Sequence, residues 1–485
     1  MTIKDLQPKN VWNNFYLLTR QPRPSKHEEK VQQFLLDWGK EHGIDVKRDD
    51  TGNIIFTAPA TKGFENRKGI IMQAHMDMVP QKTADTQHDF LTDPIETRID
   101  GEWVAAKGTT LGADNGIGVA IAMSVLEDKT LKHGPLEALI TYDEETGMTG
   151  ASALKPGILK GDILLNLDSE EEGELCTGCA GGIDGSADFR YRTYEVPEDT
   201  VTYKLTVKGM KGGHSGMDIA LCRANANKVL CRILAATIGA YEVKVADIKG
   251  GSLRNAIPFE AEAGLVIPSK NVRAFKAAVE KIFADIKSEY QYSDPGMILL
   301  FEKQPKNAAR YISPKVIATA LKAILACPHG VKRMSDTLPG LIETSTNMAI
   351  IRTEKGHLRV HSLTRSSIDA AKMAYADSIR YTFELAGAEY STSGAYSGWT
   401  PKLGTPMIKV LEDTYRKLFG KELKITATHG GLECAIMGAK YPNWEMVSIG
   451  PTIVHPHSPD ERVKIDTVGA AWKFVTAVLE NVPAK

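Results

Sequence analysis

Short, nearly continuous apolar runs alternate along the chain with stretches whose apolar residues recur every three to four positions. The runs GNIIFTAP (52–59), GIIMQAH (69–75), LEALITY (136–142) and DILLNLD (162–168) are bounded by glycine, proline or charge. Continuous apolar runs of this length predict strands buried on both faces, as in a sheet covered by helices. Between the second and third run, GVAIAMSVLED (118–128) predicts a buried helix. Ser25 and Glu28 in PSKHEE form a capping-box pattern ahead of Val31, Phe34, Leu35 and Trp38, which predicts an amphipathic helix. After about residue 187 the pattern changes to strand, helix, strand, strand, helix and strand. It includes VTYKLTVK (201–208), the helix IALCRANANKVLCRILAA (219–236), the helix VRAFKAAVEKIFADIKSEY (272–290) and the strand MILLFE (297–302). The first pattern resumes at YSGWTPK (396–402) and closes with the apolar helix VGAAWKFVTAVLENV (468–482). The expected fold class is therefore α/β. A discontinuous domain of residues 1–186 and 395–485, with a mixed sheet flanked by helices, carries an inserted α+β domain over 187–394.

With 485 residues, 42% hydrophobic and 25% charged, the chain can bury two cores. Its 59 basic and 60 acidic side chains give a net charge of −1, which offers no broad attraction to nucleic acid or anionic membrane, and neither is expected as a partner. No run approaches the roughly 18–20 apolar residues of a spanning helix, and MTIKDLQPKNVWNNFYLL lacks a secretory pattern. The expected location is cytoplasmic. Six cysteines are too sparse for a disulfide scaffold. Cys176 and Cys179 form a lone CxxC among glycines, readable as a redox pair or half of a zinc site, but with no second CxxC the packing reading is preferred.

Three of the apolar runs end in side chains able to bind metal: His75 and Asp77, then Glu144 and Glu145, then Asp168. Open α/β sheets gather ligands at the carboxyl ends of their strands, so these groups can converge. In extended chain His75 and Asp77 share a face, which lets one bind and the other orient it. Asp114 lies in TTLGADNGIG, a glycine-rich turn into a helix. The crowding of three acids in TYDEETG (141–147) fits either a solvated turn or a cation site. SIGPTIVHPHSPDE adds His455 and His457, of which the intervening Pro456 favours one as a ligand.

Together, AHMDMVP (74–80), GTTLGADNGIG (108–118), EETGMTGA (144–151), NLDSEEEGE (166–174), GGHSGMDI (212–219), GGSLRNAIP (250–258) and GPTIVHPHSPDE (450–461) resemble the co-catalytic zinc exopeptidases of the aminoacylase and carboxypeptidase G type. Among them the pattern is most like the aminoacylhistidine, or Xaa-His, carnosinase-like dipeptidases. The resemblance implies two divalent metal ions, zinc with cobalt or manganese able to substitute, in a di-zinc catalytic domain. By it, His75 and Asp168 bind the first ion, Glu145 and His457 the second, and Asp114 bridges both. Asp77 orients His75, and Glu144 is the general base for metal-assisted hydrolysis of a dipeptide. Asp143 receives no role. Asp168, where acylases and carboxypeptidases carry glutamate, favours a substrate with an unblocked amino terminus.

The same resemblance makes His214 the donor to the developing oxyanion, against a plainer reading of its loop as a helix cap formed by Ser215 or Asp218. Arg365, at the end of LRVHSLTRSS, resembles the arginine that binds the substrate carboxylate, and Asn255 a further polar contact. THGGLECA (428–435) departs from the family's Gly-Gly-Thr-Asp segment. There Glu433 either meets a cationic substrate group or faces solvent, and His429 is unassigned. The inserted domain resembles the family's lid and dimerisation domain, so a homodimer is implied. Competing function classes are an aminoacylase or other exopeptidase of the same family, a non-catalytic metal-binding protein, and a CxxC oxidoreductase.

Overall fold

The computed structural model describes residues 2–485. Contacts divide the chain into two compact units, one of Met1–Gly178, Trp399–Ala427 and Leu432–Lys485, the other of Cys179–Gly398 with Thr428–Gly431.

At the centre of the first unit lie the strands Leu136–Thr141, Ile70–His75, Ile163–Asn166 and Glu445–Ser448, side by side and parallel. The hairpin of Asp45–Arg48 and Ile54–Ala58 extends the sheet antiparallel on one side. Every residue of Ile70–His75, Leu136–Thr141 and Ile163–Asn166 is buried, the few polar ones, such as Gln73 and Asn166, included. The helix Ala113–Glu127 is buried on nearly all sides, consistent with its lack of a polar face. Met72, Ile117, Ile121, Leu165, Leu411 and Val475 belong to one core that spans the sheet and its helices. The parallel strands end at His75, Thr141, Asn166 and Ser448, so their carboxyl ends open toward a common edge.

In the second unit the strand Gly181–Arg190 pairs antiparallel with both His357–Ser366 and Glu389–Tyr396. The sheet continues through Ile342–Glu354, Lys244–Gly250, Ala261–Pro268, Thr200–Lys208 and Ile298–Lys303. The helices Ala226–Thr237, Val272–Glu289, Pro314–Ala326 and Asp369–Leu385 contribute to a core of their own, which includes Leu205, Leu230, Phe275, Ile324 and Phe383.

Two local expectations fail. The helix expected over 219–236 is broken. A short 3-10 turn, Ile219–Leu221, ends at Cys222 in a left-handed conformation, and the α-helix starts at Ala226 with Asn225 as its cap, accepting from the Lys228 amide at 3.2 Å. Asn225 also donates to the Met348 carbonyl, so a strand contact far along the chain sets this helix start. Likewise the capping box of Ser25 and Glu28 does not form. The helix Glu29–Glu41 has no side-chain cap, because both residues are committed to more distant partners.

Candidate active site

Five side chains converge at the carboxyl edge of the first unit's sheet. His75 ends its strand and turns Nε2 toward Asp114 Oδ1 at 3.0 Å and Asp168 Oδ1 at 3.4 Å. His457 approaches the other oxygen of Asp114 at 3.2 Å and Glu145 at 3.0 Å. Asp114 thus touches both imidazoles, one with each oxygen. Asp77 Oδ1 lies 3.3 Å from His75 Nδ1, which fixes the ring from behind. His455, on the loop that carries His457, is exposed.

These separations suit ligands of shared ions. Donor atoms bonded at about 2.0–2.1 Å in a tetrahedron lie roughly 3.3 Å apart. The chemistry of the set fits as well, since imidazole and carboxylate are ordinary ligands of zinc. Glu145 Oε1 and Asp168 Oδ1 are buried acceptors with no hydrogen-bond partner. The guanidinium of Arg23 is spent on the carbonyls of Met76, Asp77 and Gly112, at 3.1, 3.0 and 2.5 Å. Burial and the neighbouring carboxylates push Glu144 well above the usual range and Asp168 up to about 6. Hydrogen bonds to Asp114 and Glu145 raise His457 to about 11. Burial opposes ionisation of Asp114, but the bonds from His457 and His75 hold it below the ordinary carboxylate value. Such a field of anions, partly satisfied by two imidazoles, is the environment that divalent cations neutralise.

Local structure explains the aim of each group. Glu461 is 2% exposed and accepts from the amides of Leu111, Gly112, Ala113 and Asp114 at 2.7, 2.9, 2.7 and 3.2 Å, which clamps the loop that presents Asp114. Gly112 is required there, because its φ is +69° and an added Cβ would stand 2.5 Å from Arg23 Nη2. Asn115 ties the same turn to the Leu167 carbonyl beside Asp168, at 2.8 Å. In TYDEETG the strand stops at Thr141, Asp143 adopts φ +49°, and a single helical turn, Glu144–Gly147, follows. The amides of Glu144 and Glu145 donate to the two oxygens of Asp77 at 3.0 and 3.2 Å, so this turn is a built feature and not a solvated one.

In the second unit His214, Arg365 and His429 lie near one another. The amides of Gly216 and Met217 point at His214 Nδ1, 3.3 and 3.1 Å away. Burial and Arg365 lower this imidazole, and the two amides at Nδ1 put the proton of the neutral ring on Nε2, which is left as the donor. Neither Ser215 nor Asp218 caps a helix. Asp218 accepts from the His214 amide at 2.8 Å, and Ser215 Oγ accepts from Arg365 Nε at 3.3 Å. Arg365 also donates to Tyr396 Oη at 3.0 Å. Asn255 is exposed, and its carbonyl accepts from the Ser215 amide at 2.8 Å. The buried His429 bonds Ser345 Oγ at 2.7 Å.

A family model described as peptidase family M20/M25/M40 matches residues 71–481. The chain belongs to this family. Over 483 residues, 100% of this chain and 99% of the relative, it is 44% identical to the cytosol non-specific dipeptidase of Escherichia coli strain K12. The crystal structure of aminoacylhistidine dipeptidase from Vibrio alginolyticus matches it with a TM-score of 0.91 at 46% identity, covering 100% of this chain and 99% of that one. Aminopeptidase PepT from Bacillus cereus ATCC 10987 shares the fold, with a TM-score of 0.59 at 17% identity over 98% and 99% of the two chains. An M20/M25/M40 peptidase is a hydrolase of peptide bonds, which excludes the thiol oxidoreductase reading. Cys176 and Cys179 are both buried on the strand Glu174–Cys179. Among the described residues no helix is long and apolar enough to cross a membrane.

Several residues around this cluster escaped sequence reasoning. Glu461 ended a quoted motif without a role, and Arg23 stood in an unremarkable QPRPS. The solvent-facing reading of Glu433 fails. It is 1% exposed and accepts from Gln73 Nε2 and Thr141 Oγ1, both at 2.6 Å, while burial raises it to about 8. Gln73 in turn accepts from Asn166 at 2.5 Å, and Asn166 accepts from the Asp168 amide at 3.2 Å, so Glu433 heads a buried chain that reaches a ligand candidate. Glutamine and asparagine inside parallel strands were the available signal, since such positions are otherwise apolar.

Proposed function

We propose that this peptidase hydrolyses dipeptides, preferring Xaa-His substrates of the carnosine type, with two divalent cations bound at the cluster. His75, Asp114 and Asp168 would hold one, and Asp114, Glu145 and His457 the other. Zinc suits this donor set, and cobalt or manganese can substitute. One observation carries the reading: a single carboxylate, Asp114, meets His75 at 3.0 Å and His457 at 3.2 Å with different oxygens, so it joins two sets of donors.

Cations held there would polarise a peptide carbonyl and make water easier to deprotonate. The chain's own groups do the rest. Asp77 keeps His75 Nε2 turned into the cluster. Glu144 takes the proton of the attacking water and returns it to the leaving amine, a task suited to a carboxyl raised by burial. His214 offers its Nε2 proton to the carbonyl oxygen as negative charge develops. Arg365 pairs with the substrate's terminal carboxylate, Asn255 adds a polar contact, and Glu433, whose Oε1 has no hydrogen-bond partner, is assigned to a cationic substrate group. The first unit is the catalytic domain. The second acts as lid and as the surface of a homodimer, checked by light scattering. The cytosolic relative supports a cytoplasmic enzyme.

The name non-specific, carried by the E. coli relative, favours a second reading, a broad dipeptidase. Turnover of carnosine, Gly-His, Leu-Gly and an N-acetyl amino acid under added zinc separates the possibilities. Highest kcat/KM on the histidine dipeptides supports the first reading and parity with Leu-Gly the second, while preference for the acetylated compound overturns both in favour of an aminoacylase. Glu144→Gln should keep its metal but lose roughly 10²–10⁴-fold in kcat, because base and ligand are different side chains. Retained turnover would remove Glu144 from the reaction.

A further inference from the structure

Behind His75 lies a second group of acids, of which the proposed chemistry uses only Asp77. Glu28, Asp77 and Asp143 are buried, and each brings a carboxylate oxygen within 4.8 Å of the other two. Their acceptors are directed at one short segment. Glu28 Oε1 accepts from the Asp143 amide at 3.1 Å, Asp77 Oδ1 from the Glu144 amide at 3.0 Å, and Asp77 Oδ2 from the Glu145 amide at 3.2 Å. Three successive amides are thus fastened to buried carboxyl groups. Ser25 Oγ adds a bond to Asp77 at 2.8 Å, and Asp143 closes the turn by accepting from Thr146 at 2.5 Å and from Thr149. The turn needs such fastening. Asp143 holds φ +49°, a left-handed conformation that residues with a Cβ adopt uncommonly and that persists where the surroundings over-determine it.

Three carboxylates this close cannot all be ionised without a proton or a cation among them. Glu28 Oε2 is the one oxygen of Glu28 with no partner, and the residue is 0% exposed. Burial and the charge of Asp77 raise Glu28 to about 8, in keeping with a carboxyl that stays neutral at working pH.

We infer that Glu28 is a positioning residue for Glu144 and Glu145, acting through the Asp143 amide and against the carboxylate of Asp77. Its Oε1 pins the Asp143 amide, and a carboxyl without charge can sit beside Asp77 and Asp143. The residue that sequence pattern makes a helix cap is thereby diverted to set the register of the proposed base and its neighbouring ligand. This inference rests on the assignment of Glu144 as base and Glu145 as ligand.

The discriminating pair is Glu28→Gln and Glu28→Met in the full chain under added zinc, with Glu144→Gln as reference. Glutamine is neutral and keeps a carbonyl that can accept from the Asp143 amide, whereas methionine fills the space without that bond. Glu28→Met should lose kcat on the order of 10–100-fold with KM within about threefold, as supporting partners of a metal site do, and Glu28→Gln should recover most of that loss. Metal content by elemental analysis and thermal melting are read on the same samples. Wild-type kcat in Glu28→Met beside an inactive Glu144→Gln overturns this inference alone, and an active Glu144→Gln overturns the reading beneath it. Equal loss in both Glu28 variants, with a third equivalent of metal in the unmutated protein, overturns it in favour of a cation held by the three acids. Should Glu28→Met not fold, the glutamine variant decides: kcat within about threefold of the unmutated enzyme upholds a neutral carboxyl, and a larger loss refutes it.

Discussion

Asp114 and His75 meet in the site because each is held by a partner that contributes no ligand of its own: the Glu461 carboxylate on the amides around Asp114, and Asp77 on the far ring nitrogen of His75. His214 is governed the same way, since two amides occupy Nδ1 and leave Nε2 to donate. Residue type at a strand end made His75, Glu144, Glu145 and Asp168 legible as candidates. Asp77 was legible as the partner of His75 from their shared face, but Glu461 and Glu28 were not, because a carboxylate that accepts backbone amides looks in sequence like any other acid. His429 yields a prediction at this scale. Burial, with Arg365 nearby, depresses its imidazole to about 3, whereas the unfolded chain leaves it near the ordinary value of about 6.5. The unfolded state therefore binds the proton first. The contribution of this ring to stability is complete above about pH 6.5 and is lost as the pH falls toward 3. His429→Gln, which cannot take that proton, should flatten the acid limb of stability; urea unfolding of both proteins between pH 7 and 4 measures it, and parallel limbs would refute it.

Elements deliver these residues with different precision. The buried parallel strands were readable from composition, because only apolar, largely β-branched runs survive burial on both faces. The turns at their ends were not, since Leu111–Asp114 and Tyr142–Gly147 take their shape from distant chain: Glu461 for the first, Asp77 and Glu28 for the second. The same competition defeated the capping box, where Ser25 found Asp77 instead of its own helix. Glu461→Ala leaves four amides, three of them buried, without their acceptor, and should cost about 2–4 kcal/mol of stability and weaken metal binding at least tenfold. Denaturant unfolding and metal titration check both, and Glu461→Gln, which keeps one carbonyl acceptor, should be the milder variant. Unchanged metal affinity in Glu461→Ala would separate the loop from the site.

For the whole molecule, the crowding of Asp114, Glu145, Asp168 and Glu144 should make stability depend on cations if the proposed ions bind there. A ligand bound only by the folded state at about 100 times its Kd adds roughly 2.7 kcal/mol, or about 5–10 °C in the midpoint of a domain this size. Chelation followed by calorimetry should therefore lower the transition of the first unit by that amount, and restored zinc should reverse it; a metal-free sample melting unchanged would contradict the cluster's proposed role. By itself the sequence determined the covered α/β sheet, the second core, the ordered set of ligand-type side chains and, through its motifs, the peptidase family. Those properties depend on residue type and local period, which a linear chain records. Tertiary structure alone decided that Glu461 clamps the loop of Asp114, that Glu433 is buried and not solvated, and that Ser25 and Glu28 bond Asp77 and Asp143, far along the chain, in place of their own helix. A hydrogen bond goes to whichever donor burial leaves unsatisfied, and which groups are left is settled only when distant segments pack.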